Sequence, residues 1–256
     1  MKLESQAQIL EFNPYAQQTV GPVHNFGESV KTADGRQFRY GKVGGNNANS
    51  AAAGAVGTVQ VAPAHITNHD ASAVNAAVAI GGTTINVTAA GSTAATAGIY
   101  DEGYLIVSDG TGAGQTLKID NQYAFTSGNS YTANIVVFDP LAVALDTSSK
   151  VSFVFNRYNA FLLSNHSVVT TQPSGVPLVT ASAAGNYMFL QVKGVTNVLM
   201  NGTPAIGSKV VVGATTDGSV DIQNSTFSTG LAQWVVGEMI MTGVSTKYNS
   251  VFLQID

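Results

Sequence analysis

Along most of this chain, apolar and polar residues alternate at every second position in short runs, with Gly, Asn, Asp and Pro between the runs. A period of two is the mark of half-buried β-strands, and few stretches carry the helical period. Residues 83–88, TTINVT, place Ile85 and Val87 on one side and Thr84, Asn86 and Thr88 on the other. Residues 104–107 and 115–119 predict two more strands joined through a Gly-rich turn, and residues 135–138 predict a short buried one ended by Asp139 and Pro140. Residues 151–155 are rich in β-branched and aromatic side chains, as strands are. The pattern restarts after residue 172, with strands expected over 187–193, 195–200, 209–212, 235–242 and 250–255. The Ala-rich piece at 71–80, ASAVNAAVAI, is the best candidate for an internal helix, with a strand as the alternative.

The first forty residues read differently. Leu3, Ile9, Leu10 and Phe12 could share a face of a short helix, which Asn13 and Pro14 would stop. Residues 30–40, VKTADGRQFRY, predict a hairpin turning at Asp34 and Gly35, where positive φ is needed. Beyond it, residues 44–57, GGNNANSAAAGAVG, lack the large side chains a core requires and read as an extended strap. The turn-rich run QPSGVP at 172–177 reads as a boundary. The expected organisation is an extended N-terminal arm with hairpin and strap over 1–57, a β-rich domain over 58–172, and a small β-barrel or sandwich over 173–256. The fold class is mainly β.

Composition narrows the function. Of the 256 residues, 45% are hydrophobic but only 10% are charged, against roughly 25% charged in ordinary domains. No Lys or Arg lies between Lys42 and Lys118, and Asp70 is the only formal charge between Gly45 and Tyr100. A net charge of −4 gives little repulsion between copies, which favours close association. The lack of a basic stripe argues against nucleic acid as a partner. No Cys is present, so disulfides and thiolate metal sites are excluded. The first residues lack the apolar core of a signal peptide and no run reaches the roughly 18 apolar residues of a membrane span, so synthesis in a cytoplasm and no membrane partner are expected.

Candidate chemistry is sparse. In Gly110, Thr111, Gly112, Ala113 and Gly114 the glycines lead into a strand pattern instead of the helix a phosphate cradle needs, so a hairpin turn is expected. His65 and His69 would share a helical face and could clip a metal, but Pro63, Thr67 and Asn68 favour a loop. Asp34, Asp109, Asp146 and Asp217 sit beside Gly, Thr or Ser, as turn formers do. Asp101 and Glu102 are adjacent and would diverge on a strand. No catalytic residue, cofactor or metal is assigned. Trp234, in an apolar run, reads as a core or subunit-interface anchor.

Three pieces, in their order along the chain, resemble a family of tailed-phage virion proteins described as capsid decoration, cement or head-associated proteins. One is residues 30–40 after the opening arm, followed by the small-residue strap. Another is Gly112, Ala113, Gly114, Gln115, Thr116, Leu117, Lys118 and Ile119. The last joins Phe138, Asp139, Pro140 and Leu141 to Leu145, Asp146, Thr147, Ser148 and Ser149, and then to Asn156, Arg157 and Tyr158. The resemblance spans about residues 15–160. It implies a protein on the outer face of an icosahedral shell, often a homotrimer, that bridges major capsid protein subunits. Phe12, Tyr15, Phe26, Arg36, Phe38, Arg39 and Tyr40 are the expected capsid contacts. A rival reading is a tail or head-fibre adhesin for a host glycan or surface protein.

Overall fold

A computed structural model describes residues 12–45, 52–166, 171–223 and 234–256. The chain forms two compact units: Met1–Pro63 with Ala160–Asp256, and Ala64–Asn159. Both are antiparallel β-structures, and no α-helix occurs among the described residues. The mainly β class expected from the alternation is therefore the observed one.

The first unit begins with β1 (Gln17–Gln18), β2 (Ser29–Lys31), β3 (Gln37–Lys42) and β4 (Gln60–Val61). The expected hairpin is β2 and β3, which pair from Ser29↔Arg39 to Lys31↔Gln37. Its turn closes through a Gly35 N–H donated to the Thr32 carbonyl at 3.0 Å. Gly35 has φ of +85°, which a side chain would resist.

The second unit follows as β5 (Ser72–Val74), β6 (Thr84–Thr88), β7 (Tyr104–Asp109), β8 (Thr116–Gln122), β9 (Thr132–Val137) and β10 (Lys150–Val154). These close into a barrel in the order β10-β5-β6-β9-β8-β7. The alternation read from the sequence is the barrel's inside and outside. Ile85, Val87, Leu105, Val107, Leu117, Ile119, Ile135, Val137, Val151 and Phe153 point inward and are buried in one core. Residues 71–80 give β5 and a single bridge at Val78↔Leu145, not a helix. The backbone groups of Val74 and Val78 bond to Ser149 and Leu145, and this pairing outweighs the high helix propensity of Ala.

The chain then returns to the first unit with β11 (Leu162–Leu163), β12 (Pro173–Pro177), β13 (Tyr187–Leu199), β14 (Lys209–Val212), β15 (Val220–Ile222), β16 (Val235–Met239) and β17 (Tyr248–Gln254). Its sheet runs β11-β4-β12-β13-β17-β16-β14-β15, with β1 and β3 also on β13 and β2 on β3. The hub is β13, a single strand of 13 residues where the sequence predicted two. Gly194, at φ +91°, carries it past the break in the pattern.

Two expectations are corrected here. Residues 12–45 are not a free arm, because β1 and β3 pair directly with β13. The boundary at 172–177 is instead β12, buried at every position between β4 and β13. The units therefore do not follow the 1–57, 58–172 and 173–256 division. The two ends of the chain build one sheet, and the barrel is a contiguous insert. The middle of the strap, at 46–51, lies outside the described residues.

Candidate functional site

The burial of β13 changes halfway along. Residues 188–192 are buried without interruption, and from Lys193 onward the strand alternates between exposed and buried. The covered half lies under the N-terminal segment. Phe12 sits 5.2 Å from the Phe38 ring and edge-on to Phe189 at 4.8 Å. Phe26 stacks on Tyr187 at 6.2 Å, and Tyr187 on Tyr40 at 6.0 Å. Such aromatic contacts each add about 0.5–1.5 kcal/mol beyond the burial of area. Tyr40 donates its hydroxyl to Gln18 Oε1 at 2.5 Å and accepts from the Val23 N–H at 3.3 Å. Burial pushes its pKa up to about 12.

Where this cover ends, a groove of about 650 Å³ opens, lined by residues of the sheet unit alone. Its walls carry Tyr15, 61% exposed, and Tyr248, 55% exposed. Val195, Thr196, Asn197, Ser250 and Gln191 supply the rest of the β13–β17 surface. The Ser250 hydroxyl donates to Asn197 Oδ1 at 2.8 Å across the strand pair. Gly57 lets the chain pass close to the Tyr248 ring, since a Cβ there would lie 2.7 Å from a ring carbon. Arg36 is the one charged residue of the lining. The Tyr15 hydroxyl and the Asp34 carboxylate both raise its pKa, and its Nε donates to Asp34 at 2.7 Å. The groove is therefore close to neutral. Its volume falls within the usual range of ligand clefts, about 300–1,000 Å³.

The expected contact residues thus divide. Tyr15 and Arg36 come together at the groove. Phe38 and Tyr40 are fully buried in their own unit, so neither side chain is available to a partner. This corrects the expectation for both, and the reason is that β3 is an interior strand held by β2 and β13. Phe12 and Phe26 are half-buried against the same cluster. Arg39 is tied to the Asp256 carboxylate at 2.5 Å and to the Gly27 carbonyl at 2.8 Å, so it fastens the hairpin to the end of the chain. Trp234 packs partly buried against the valine-rich core beneath the sheet, and its Nε1 is buried without a partner.

Nothing in the local pattern of residues marks Tyr248, Asn197 or Gln191 as groove residues. They reach the groove only through pairing between β13 and β17, which local patterning does not encode.

In the barrel, the outer face carries an uncharged ladder. Asn75 Nδ2 donates to Asn86 Oδ1 at 2.6 Å, and Asn86 Nδ2 donates to Asn134 Oδ1 at 2.7 Å. Hydroxyls of Thr88 and Thr132 meet at 2.9 Å beside it. The Gly-rich run is the turn between β7 and β8, with Gly110, Gly112 and Gly114 at positive φ. The Thr111 hydroxyl donates to Asp146 at 2.7 Å.

The histidines also separate. His65 pairs with Asp70 at 2.9 Å on the surface. His69 is fully buried, with the Tyr100 hydroxyl at 2.8 Å from Nδ1 and the Thr93 carbonyl at 3.1 Å from Nε2. A carbonyl only accepts, so Nε2 carries the proton and Nδ1 accepts from Tyr100. Burial lowers the His69 pKa and keeps the ring neutral. It lies in a loop before β5, as the sequence predicted, and from there packs against Tyr100, Phe125 and Phe153 of the barrel core. No group of three or more His, Asp or Glu that could hold a metal occurs among the described residues.

No family model, curated protein or solved structure matches this chain.

Proposed function

We propose that this chain is a structural virion protein that binds the outer surface of a tailed-phage capsid and stabilises the shell by bridging major capsid protein subunits. The supporting observation is the near-neutral groove walled by Tyr15 and Tyr248, in a chain with only 10% charged residues. Exposed tyrosines, Tyr15 in the turn before β1 and Tyr248 at the start of β17, offer apolar area at little entropic cost, and tyrosine is enriched where proteins meet. Sparse charge means that few ions lose their water when such a face is covered. The order of motifs over residues 15–160 supports the same reading. Many copies, each holding more than one subunit, would add weak contacts into a strong clamp. No catalytic step or cofactor belongs to this function.

The test is co-sedimentation of the full chain with shells assembled from the major capsid protein of the same virus, followed by cryo-electron microscopy. Saturable binding, with density for this chain on the outer surface and shells more resistant to heat, is the expected result. Absence from shells, together with binding to host-surface glycan, would replace this reading with the adhesin.

A further inference from the structure

One edge of β13 is left without a strand in the middle of the sheet. On one side, β13 pairs with β1 and β12 and then with β17 through to Leu199. On the other side, pairing with β3 ends at Lys193, which has Gln37 on this side and Gln254 on the β17 side. Peptide groups along an antiparallel strand point alternately to its two neighbours. The Val192 carbonyl accepts from the Ile255 N–H at 3.0 Å, so even-numbered groups point toward β17. The Leu199 N–H donates to the Gly57 carbonyl at 2.8 Å on the opposite side, which fixes the odd-numbered groups there. Between Lys193 and Leu199, residues 194–198 have no registered strand on that side among the described residues.

The structure fills only part of this gap. Gln191 Nε2 donates to the carbonyls of Lys193 and Val195, at 3.1 and 3.0 Å. The Gln191 side chain is fully buried, and its Oε1 has no hydrogen-bond partner. Its carboxamide thus continues this edge past the end of β3 at Gln37, with an acceptor still to be met. A buried acceptor without a donor costs about 1–3 kcal/mol, so a partner that supplies one is favoured. Further along, the N–H groups of Val195 and Asn197 face the same edge. They are separated by about 6.8 Å, the two-residue repeat of a strand.

We propose that this edge receives an extended, uncharged polypeptide segment of a capsid subunit, which adds as a strand to β13 between Tyr15 and Tyr248. The proposal rests on the function inferred above and names the contact through which it works. Donors and acceptors in line at the strand repeat match a polypeptide backbone, which is how strand addition gains its affinity. The groove offers no carboxylate or lysine, and Arg36 is already paired with Asp34, so a charged segment would lose water without gaining a partner. The open edge spans five residues, 194–198. At about 3.3 Å per residue it holds a short segment, and strength comes from the number of copies.

Two substitutions at one position separate backbone pairing from side-chain contact. Asn197→Pro removes the outward N–H and no ladder bond to β17, and such edge positions are where strands accept proline. Asn197→Ala keeps the N–H and removes the amide side chain. The expected result is that Asn197→Pro weakens co-sedimentation with shells about tenfold, and Asn197→Ala changes it by less than about twofold. Hydrogen exchange on the unsubstituted chain gives a second measurement that needs no variant. The Val195 and Asn197 amides should exchange rapidly in the free protein and slow at least tenfold on shells. If both substitutions weaken binding equally, or the two amides exchange as fast on shells as off them, strand addition is overturned while the shell-binding function stands. If the unsubstituted chain does not bind shells, the function falls and this contact with it.

Discussion

In residues 64–159 the last strand, β10, returns to pair with both β5 and β7, so every strand of the barrel has two neighbours. The sheet of the other unit instead ends at β11 and β15 and leaves part of β13 open. Closure removes the edges at which strands stick to other chains, and an open sheet must manage them one at a time. The barrel closes around a single apolar core, from Ile85 and Val87 to Tyr100, Phe125 and Phe153, with amides and hydroxyls facing outward. The sheet relies on a layer of aromatic side chains contributed by residues far away in sequence. The difference teaches where contact with other molecules belongs: on the unit whose backbone groups are not all satisfied within itself.

The largest effect should come from removing residues 1–42. This deletes β1, β2 and β3 together with Phe38 and Tyr40, each an aromatic whose loss alone costs about 3–5 kcal/mol. The total stability of a domain is about 5–15 kcal/mol, so the sheet unit should unfold while the barrel persists. Limited digestion with thermolysin should then leave a protected fragment around residues 64–159. Equal loss of both units would break the comparison.

A smaller and purely barrel-borne effect is expected at His69. Burial holds its pKa below the ordinary value of 6.5. As pH falls below 6.5, the unfolded chain takes up a proton that the folded barrel refuses, and stability drops. Above that pH the contribution is fully present. His69→Phe should flatten this dependence between pH 7.5 and pH 5 in thermal melts. It should also cost about 1–3 kcal/mol at neutral pH, because the Tyr100 hydroxyl loses its acceptor. A wild-type barrel whose melting does not change with pH would contradict the assignment.

The smallest effect belongs to the amide ladder. Asn86→Ala breaks its contacts to Asn75 and Asn134 and should cost about 0.2–1 kcal/mol in barrel unfolding by urea. The sheet unit should unfold as before.

The sequence disclosed strands better than it disclosed neighbours. Residues 83–88 show Ile85 and Val87 at a spacing only a strand would use, and the barrel buries both. The Asp34–Gly35 turn was legible because its geometry is local. In contrast, the sequence places Phe38 and Tyr40 on an arm as capsid contacts, since the strand covering them lies about 150 residues further on. Their partners Gln191 and Phe189 carry no mark of that pairing. The run at 172–177 misled for a related reason. Its prolines and glycine resemble a linker, yet the backbone of β12 is held by Gln60, Val61, Leu190 and Gln191. Of the groove lining, Tyr15 and Arg36 are among the residues expected to touch a capsid, though nothing in the sequence draws them together. The groove's far wall at Tyr248 belongs to a segment where the pattern showed only another strand.

The chain leaves the sheet unit after β4 and comes back to it at β11, and these two strands lie side by side, with Val61 opposite Leu162. Paired strands stand about 5 Å apart, so the point of departure and the point of return are nearly one place. The barrel is therefore a cassette threaded through a single doorway. Exchanging it for another module, or for a tight turn, would change what the protein displays without asking the host sheet to move a strand.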